Sequence, residues 1–220
     1  MPGTEAPGSS WAERAADRSP VVQKSRRRSV AQAKATVEAA RRLIEVKGPT
    51  FTTQELVREA GIALQTFYRH FPGKDHLLLA VIADIIDESC QQYREEAAAL
   101  GAPLDRLRHY VTSAVLSLPR TGSGPSFITV EHWRLQTLFP REVSQATQPF
   151  TDLLVEEICL ASLAGTLHVV DPEYSAWLVT QLTMAVFHHY DSAGTDEPVE
   201  AIADRLWAFC LGALGGVRPA

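Results

Sequence analysis

The chain has no run of about 18 consecutive apolar residues, so a membrane-spanning helix is excluded. Cysteine is scarce: Cys90, Cys159 and Cys210 are odd in number and far apart, which fits neither a disulfide framework nor a zinc site. They are expected to be reduced core thiols in a cytoplasmic protein. No pair among His132, His168, His188 and His189 has the spacing of helical metal ligands, so no metal and no other cofactor is expected. A serine elbow, a phosphate-cradling glycine loop and a paired-carboxylate context are also missing. A helical hydrolase or transferase using His188 or His132 as base is therefore the weaker alternative, and the chain is read as no enzyme. The first residues lack the charged start and apolar centre of a signal peptide. Rich in Pro, Gly and Ala, residues 1–22 are expected to form a disordered tail.

What is present is an uneven charge. Residues 1–75 hold 13 Lys and Arg against 8 Asp and Glu, whereas residues 76–220 hold 8 against 18. The acidic net charge of −5 hides a basic head, which suits a protein that turns one end toward nucleic acid. No segment alternates apolar and polar residues as a half-buried strand does, and apolar positions recur at helical spacing throughout. The expected fold is all-α, with about nine helices.

The richest stretch is Thr52–Leu78, which reads as two short helices across a glycine turn, followed by a long one. Thr52 can cap the first, and Glu55 can return a bond to the Thr52 amide, making a capping box. Leu56, Val57 and Ala60 form its apolar face. Gly61 supplies the positive φ that ends a helix, and Ile62 plugs the turn. The next helix, about Ala63–Phe71, is anchored by Phe67 and Phe71, which leaves Leu64, Gln65, Tyr68 and Arg69 on the opposite face. Pro72 and Gly73 stop it. Two helices crossing steeply over a short turn form a helix-turn-helix, whose second helix enters the major groove. Thr53 at a helix start suits a phosphate. Gln65 can read adenine, Thr66 lies nearby, and Tyr68 offers a ring to a thymine methyl or a hydroxyl to phosphate. Arg69 and His70 suit phosphate or base, and Lys74 adds a cation at the start of the long helix.

The Ala60-Gly61-Ile62 turn, the run Thr66–Phe71 and the following Gly73-Lys74-Asp75 with Leu77-Leu78 resemble the DNA-binding domain of the TetR family of bacterial transcriptional regulators. The resemblance covers roughly Ser29–Ala83. It implies a homodimer, operator contacts at Thr53, Thr66, Tyr68, His70 and Lys74, and repression released by a ligand. Ala63 and Leu64 depart from the family's pattern: Ala63 cannot cap its helix, at a cost of about 1 kcal/mol, and Leu64 is an apolar residue where a polar one is usual. That departure keeps open a third reading, an architectural or protein-binding module that no longer reads sequence.

Around this motif, Val30, Ala33, Val37, Ala40 and Ile44 stripe a first helix of about Ser29–Lys47, and Lys24–Arg28 before it reads equally as a phosphate-touching arm or a solubilising tail. The helix-turn-helix domain is expected over residues 23–73, and an effector-binding and dimerisation domain over residues 74–220. A long helix from Lys74 to about Leu100, with Leu77, Leu78, Val81, Ile82, Ile85 and Ile86 inside, joins the two. A fifth helix starts at Pro103, and residues 119–126 read as a flexible loop. A sixth follows over Phe127–Phe139, and a seventh from about Arg141 to Leu163 with a kink near Pro149. Asp171 and Pro172 start an eighth, and Pro198 a ninth. These last two are apolar on more than one side, which predicts that residues 171–190 and 198–214 pair with their copies as a four-helix bundle. Ligand-lining candidates are Phe127, His132, Trp133, Arg134, Phe150, Trp177, Gln181 and His188. The apolar ones among them favour a small lipophilic effector, and a double-stranded palindromic operator is the expected partner.

Overall fold

The structure, a computed structural model, describes residues 19–118 and 126–216. Among these residues it contains nine α-helices, one short 3-10 turn and no strand. They fall into two compact units that meet in sequence at Lys74 and Asp75.

The first unit holds α1 (Pro20–Lys47), the 3-10 turn Gly48–Thr50, α2 (Thr53–Glu59) and α3 (Leu64–His70). Helix α1 begins nine residues before the start suggested by the apolar stripe, with Pro20 in its first turn, where the missing amide costs nothing. Lys24–Arg28 are therefore helical and exposed, rather than an extended arm. Of the tail expected over residues 1–22, residues 1–18 lie outside the described residues, and residues 20–22 are helical. Val37, Ala39 and Ala40 of α1 are buried with Phe51, Leu56, Phe67 and Phe71. At the start of α2 the capping box forms: the Glu55 amide donates to the Thr52 hydroxyl (3.2 Å) and the Thr52 amide to the Glu55 carboxylate (2.8 Å). At its end Gly61 takes φ 64°. The Ile62 amide reaches back to the Val57 carbonyl and the Gly61 amide to Arg58, the paired bonds of a Schellman turn.

The second unit contains most of α4 (Lys74–Ala97), then α5 (Pro103–Leu116), α6 (Phe127–Leu138), α7 (Pro140–Leu163), α8 (Pro172–Ala193) and α9 (Val199–Ala213). Helix α5 is central and packs on α7, α8 and α9. Its Leu107, Val111 and Val115 are buried against a core that includes Leu154 and Ile158 of α7, Ala176 of α8 and Cys210 of α9. Each large apolar side chain enclosed this way stabilises the unit by roughly 1.5–3 kcal/mol. Helix α7 runs through Pro149 without a break; the carbonyl of Gln145 that loses its donor belongs to an exposed residue, so water can satisfy it. Asp171 caps α8 by accepting from the Tyr174 amide at 3.0 Å, with Pro172 in the first turn. Most of the loop expected over residues 119–126 lies outside the described residues, and Ser126 caps α6.

Helices α8 and α9 bury one face each and leave apolar groups outside. Trp177 and Leu178 of α8 and Phe209 of α9 are exposed, the last to 66%. Beside Phe209 lies a shallow groove of about 220 Å³ walled by Leu182, Val186, Ile202 and Leu206.

One ion pair inside the second unit is enclosed. Arg106 of α5 grips Glu157 of α7 through two bonds of 2.8 Å and also donates to the carbonyls of Leu100 and Gly101. Glu157 is only 3% exposed, so its charge depends on that partner. Arg106→Ala is expected to destabilise the protein by about 3–5 kcal/mol, whereas the paired Arg106→Met, Glu157→Leu variant recovers most of the loss; chemical denaturation of the three proteins checks both.

Candidate nucleic-acid interface and internal cavity

Helix α3 is anchored by Phe67, which is 1% exposed and stacks on Phe71 with ring centroids 5.8 Å apart. At 3.6 residues per turn that anchor turns Leu64, Gln65, Tyr68 and Arg69 outward, and all four are exposed. Tyr68 lies edge-on to Phe67 at 5.0 Å but remains 53% exposed, so its ring is held from within while its outer edge and hydroxyl reach solvent. Thr66 and His70 are half-buried on the flanks, and His70 Nε2 has no hydrogen-bond partner. Arg69 donates to Gln32 of α1 at 3.0 Å. Thr53, in the first turn of α2, is half-buried. Ala63 precedes α3 without any side-chain cap, as its methyl group dictates.

Lys74 has a more definite place than its sequence position indicated. Its ammonium donates to the carbonyls of Pro49 (2.5 Å) and Phe51 (2.6 Å) and sits 4.5 Å from the centroid of the Phe51 ring. It therefore fastens the turn that leads into α2. Nearby, Lys47 pairs with Glu55, and this bond with the two from Thr52 holds the Glu55 carboxyl at about 2, well below the usual range.

The second unit holds a partly open cavity of about 70 Å³. Ile82, Ile85, Ile86, Ser89, Cys90 and Tyr93 of α4 form one wall, Ala114 and Ser117 of the α5 end another, and Ile128 and His132 of α6 a third. Thr147 and Phe150 of α7 and Thr180, Met184 and Phe187 of α8 complete it. Of the eight ligand candidates from the sequence, His132 and Phe150 line this space. His188, 2% exposed, stands behind His132 with ring centroids 4.3 Å apart. The others are elsewhere. Trp133 and Gln181 are exposed, Phe127 is half-buried, and Trp177 stacks on Tyr174 at the surface. Arg134 is held by Glu131 and by Asp75 in the first turn of α4, both at 2.7 Å. The α4 wall was missed as a lining because the stripe Ile82, Ile85, Ile86 reads equally as plain core; helical spacing does not distinguish a face turned to atoms from one turned to a void.

Burial governs the chemistry of this wall. It pushes the Cys90 thiol up to about 12, aided by the Asp87 carboxylate, so this sulfur is a packing group and not a nucleophile. It also raises the Tyr93 hydroxyl and lowers the His132 imidazole. His188 is brought down to about 4, by burial first and by His132 second, with Asp191 opposing. Behind the cavity a polar cluster joins α6 to α8. The Ser126 amide and hydroxyl both donate to Asp191 (2.8 and 2.7 Å), and the Thr129 hydroxyl meets His188 Nδ1 at 2.9 Å.

The described residues thus form a helix-turn-helix with an outward basic-aromatic helix, followed in sequence by an all-α unit with an apolar cavity, the architecture of a DNA-binding regulator. Residues 37–81 match the model for bacterial regulatory proteins of the tetR family. Over most of its length the chain shares its fold with solved structures. It resembles RolR bound to resorcinol, with a TM-score of 0.69, 16% identity, and coverage of 86% of this chain and 90% of that one. It also resembles the Thermus thermophilus repressor FadR bound to lauroyl-CoA, at 0.66 and 17%, covering 86% and 97%. A tetR-family regulator from Rhodococcus RHA1 aligns at 0.55 and 22%, covering 85% and 98%. No curated protein sequence matches the chain.

The depressed His188 value sets a pH dependence. Unfolded, this imidazole takes a proton near 6.5; folded, it resists until about 4. Between those values the unfolded state binds the extra proton, so stability is complete above pH 6.5 and falls as the pH drops toward 4. Thermal denaturation from pH 7.5 to 4.5 should show that fall, and His188→Gln should reduce it.

Proposed function

We propose that the chain is a dimeric repressor that holds a palindromic operator through α3 and leaves it when a small lipophilic compound enters the cavity. The observation that carries the DNA reading is the division of α3 into a buried Phe67 side and an exposed side of Gln65, Tyr68 and Arg69. Gln65 presents the amide that pairs with adenine, and Leu64 and Tyr68 present apolar surface to thymine methyls. Thr53, Thr66, Arg69 and His70 serve the backbone and flanking bases, and Lys74 acts by holding the turn before α2 in place. Domain limits of 23–73 and 74–220 follow from this reading, with a cytoplasmic location.

Support for the dimer is the exposed Phe209 beside the groove walled by Leu182, Val186, Ile202 and Leu206, a surface suited to its own copy across a twofold. Support for ligand control is the cavity, which α4 walls along about three turns before that helix leads back to Lys74. A ligand that spreads this wall favours one course of α4 over another, and that differential affinity is what release requires. RolR binds resorcinol and the Thermus FadR binds lauroyl-CoA, so the fold accommodates ligands of very different size.

Selection of bound fragments from a random duplex pool should recover a palindrome; recovery of unrelated sequences would sink the repressor reading in favour of an architectural one. On the recovered site, Tyr68→Ala is expected to weaken binding at least ~5-fold at fixed salt with unchanged thermal stability, since removing one good base contact costs about 1–3 kcal/mol. Lys74→Ala should weaken binding and also lower stability. Phe209→Glu should convert the dimer to monomer in sedimentation; a wild-type monomer at micromolar concentration would contradict the twofold.

A further inference from the structure

The cavity's wall restricts the chemistry of its occupant more closely than the word lipophilic does. Among the described residues, no Lys, Arg, Asp or Glu lines it. Its hydroxyl groups are already engaged. Thr180 bonds Thr151 at 3.0 Å, Thr147 bonds the carbonyls of Val143 and Ser144, and Ser117 bonds the Ala114 carbonyl. Tyr93 reaches the Ser113 carbonyl and interacts with Ser89 and Ser117. His132 differs: among the described residues its ring makes aromatic contacts with Trp133 and His188 and no hydrogen bond. Behind it, His188 is 2% exposed, uses Nδ1 on Thr129, and has no partner at Nε2 among the described residues. A buried nitrogen left without a bond is costly, but His188 lies outside the lining; His132 is the imidazole that borders the space and can offer a guest a hydrogen bond.

An ionised carboxylate would enter without a counter-charge, and so would an ammonium group, so both signs are rejected. Size adds a second limit. The space is about 70 Å³, roughly half the ~150 Å³ that accepts a benzene ring. One ring therefore enters only by displacing the pliable Met184, and two fused rings do not fit. The rings of Tyr93, Phe150 and Phe187 on three different helices favour an aromatic guest packed edge to face.

We propose that the effector is an uncharged single-ring aromatic bearing a hydroxyl, a phenol, whose hydroxyl bonds the imidazole of His132 while the three aromatic walls enclose its ring. This rests on reading the cavity as the effector site, but its test does not need DNA. His188 is a positioning residue: bonded to Thr129, it holds His132 by stacking.

Phenol, toluene, benzoate, benzylammonium and 2-naphthol are titrated separately into the full-length protein, with calorimetry and thermal shift as readouts. Phenol is expected to bind saturably, toluene at least ~10-fold more weakly, and the two ions and the fused ring not at all. In His132→Leu the preference for phenol over toluene should vanish while toluene still binds. His132→Gln, which keeps a hydrogen-bonding group, should retain part of it and guards against a folding defect in the leucine variant. Benzoate or benzylammonium binding as tightly as phenol overturns the proposal, as does an unchanged preference in His132→Leu or an absence of binding by every probe. Phenol that binds as stated but leaves operator affinity unaltered would instead end the regulatory reading and leave the cavity's chemistry standing.

Discussion

Burial of Phe67 is the constraint from which the DNA-facing surface follows. Helix α3 is only seven residues long, too short to be stable by itself, and it begins without a side-chain cap. Tertiary packing must therefore hold it, and the packing is aromatic: Phe67 is enclosed and Phe71 stacks on it one turn later. Once that side is occupied, helix geometry leaves Leu64, Gln65, Tyr68 and Arg69 no other place than the surface. The capping box at Thr52, the Schellman turn at Gly61 and the Lys74 ammonium between the Pro49 and Phe51 carbonyls all fix the frame on which this short helix rests.

The second unit follows a different logic. There the long helices are stable through continuous apolar stripes, and what is specific is the place where packing is incomplete. The cavity is small and its hydroxyl groups are already bonded, mostly to backbone carbonyls, so little of the wall is available to a ligand. The same burial that keeps Cys90 protonated keeps His132 and His188 neutral. A neutral imidazole with no hydrogen bond among the described residues is a selective feature in an apolar site, because it accepts a dipole and offers nothing to an ion.

Much of this was legible from residue order. The capping box, the glycine turn, the outward residues of α3, the missing cap at Ala63 and the Asp171-Pro172 start of α8 all rest on interactions within a few residues, and each appears in the structure. Less local features were not. The early start of α1 at Pro20 was hidden because its first turns carry Lys24–Arg28 and present no apolar stripe. Arg134 looked like a ligand group but is spent on Glu131 and Asp75, and Asp75 lies 59 positions away in the chain. Trp133 and Trp177 were chosen for their size, yet both are exposed, since an aromatic on an amphipathic helix can face either side.

The order of residues alone determined the helical class, the helix-turn-helix and the chemistry offered along α3, because caps, turns and helical faces depend on neighbours three or four positions apart. Tertiary structure alone decided which stripe borders a void, that among the described residues His132 makes no hydrogen bond while the neighbouring hydroxyls do, and that Lys74 turns back on the turn before α2. Those outcomes depend on groups brought together from five helices, and distances across the fold are not encoded in the spacing along any one of them.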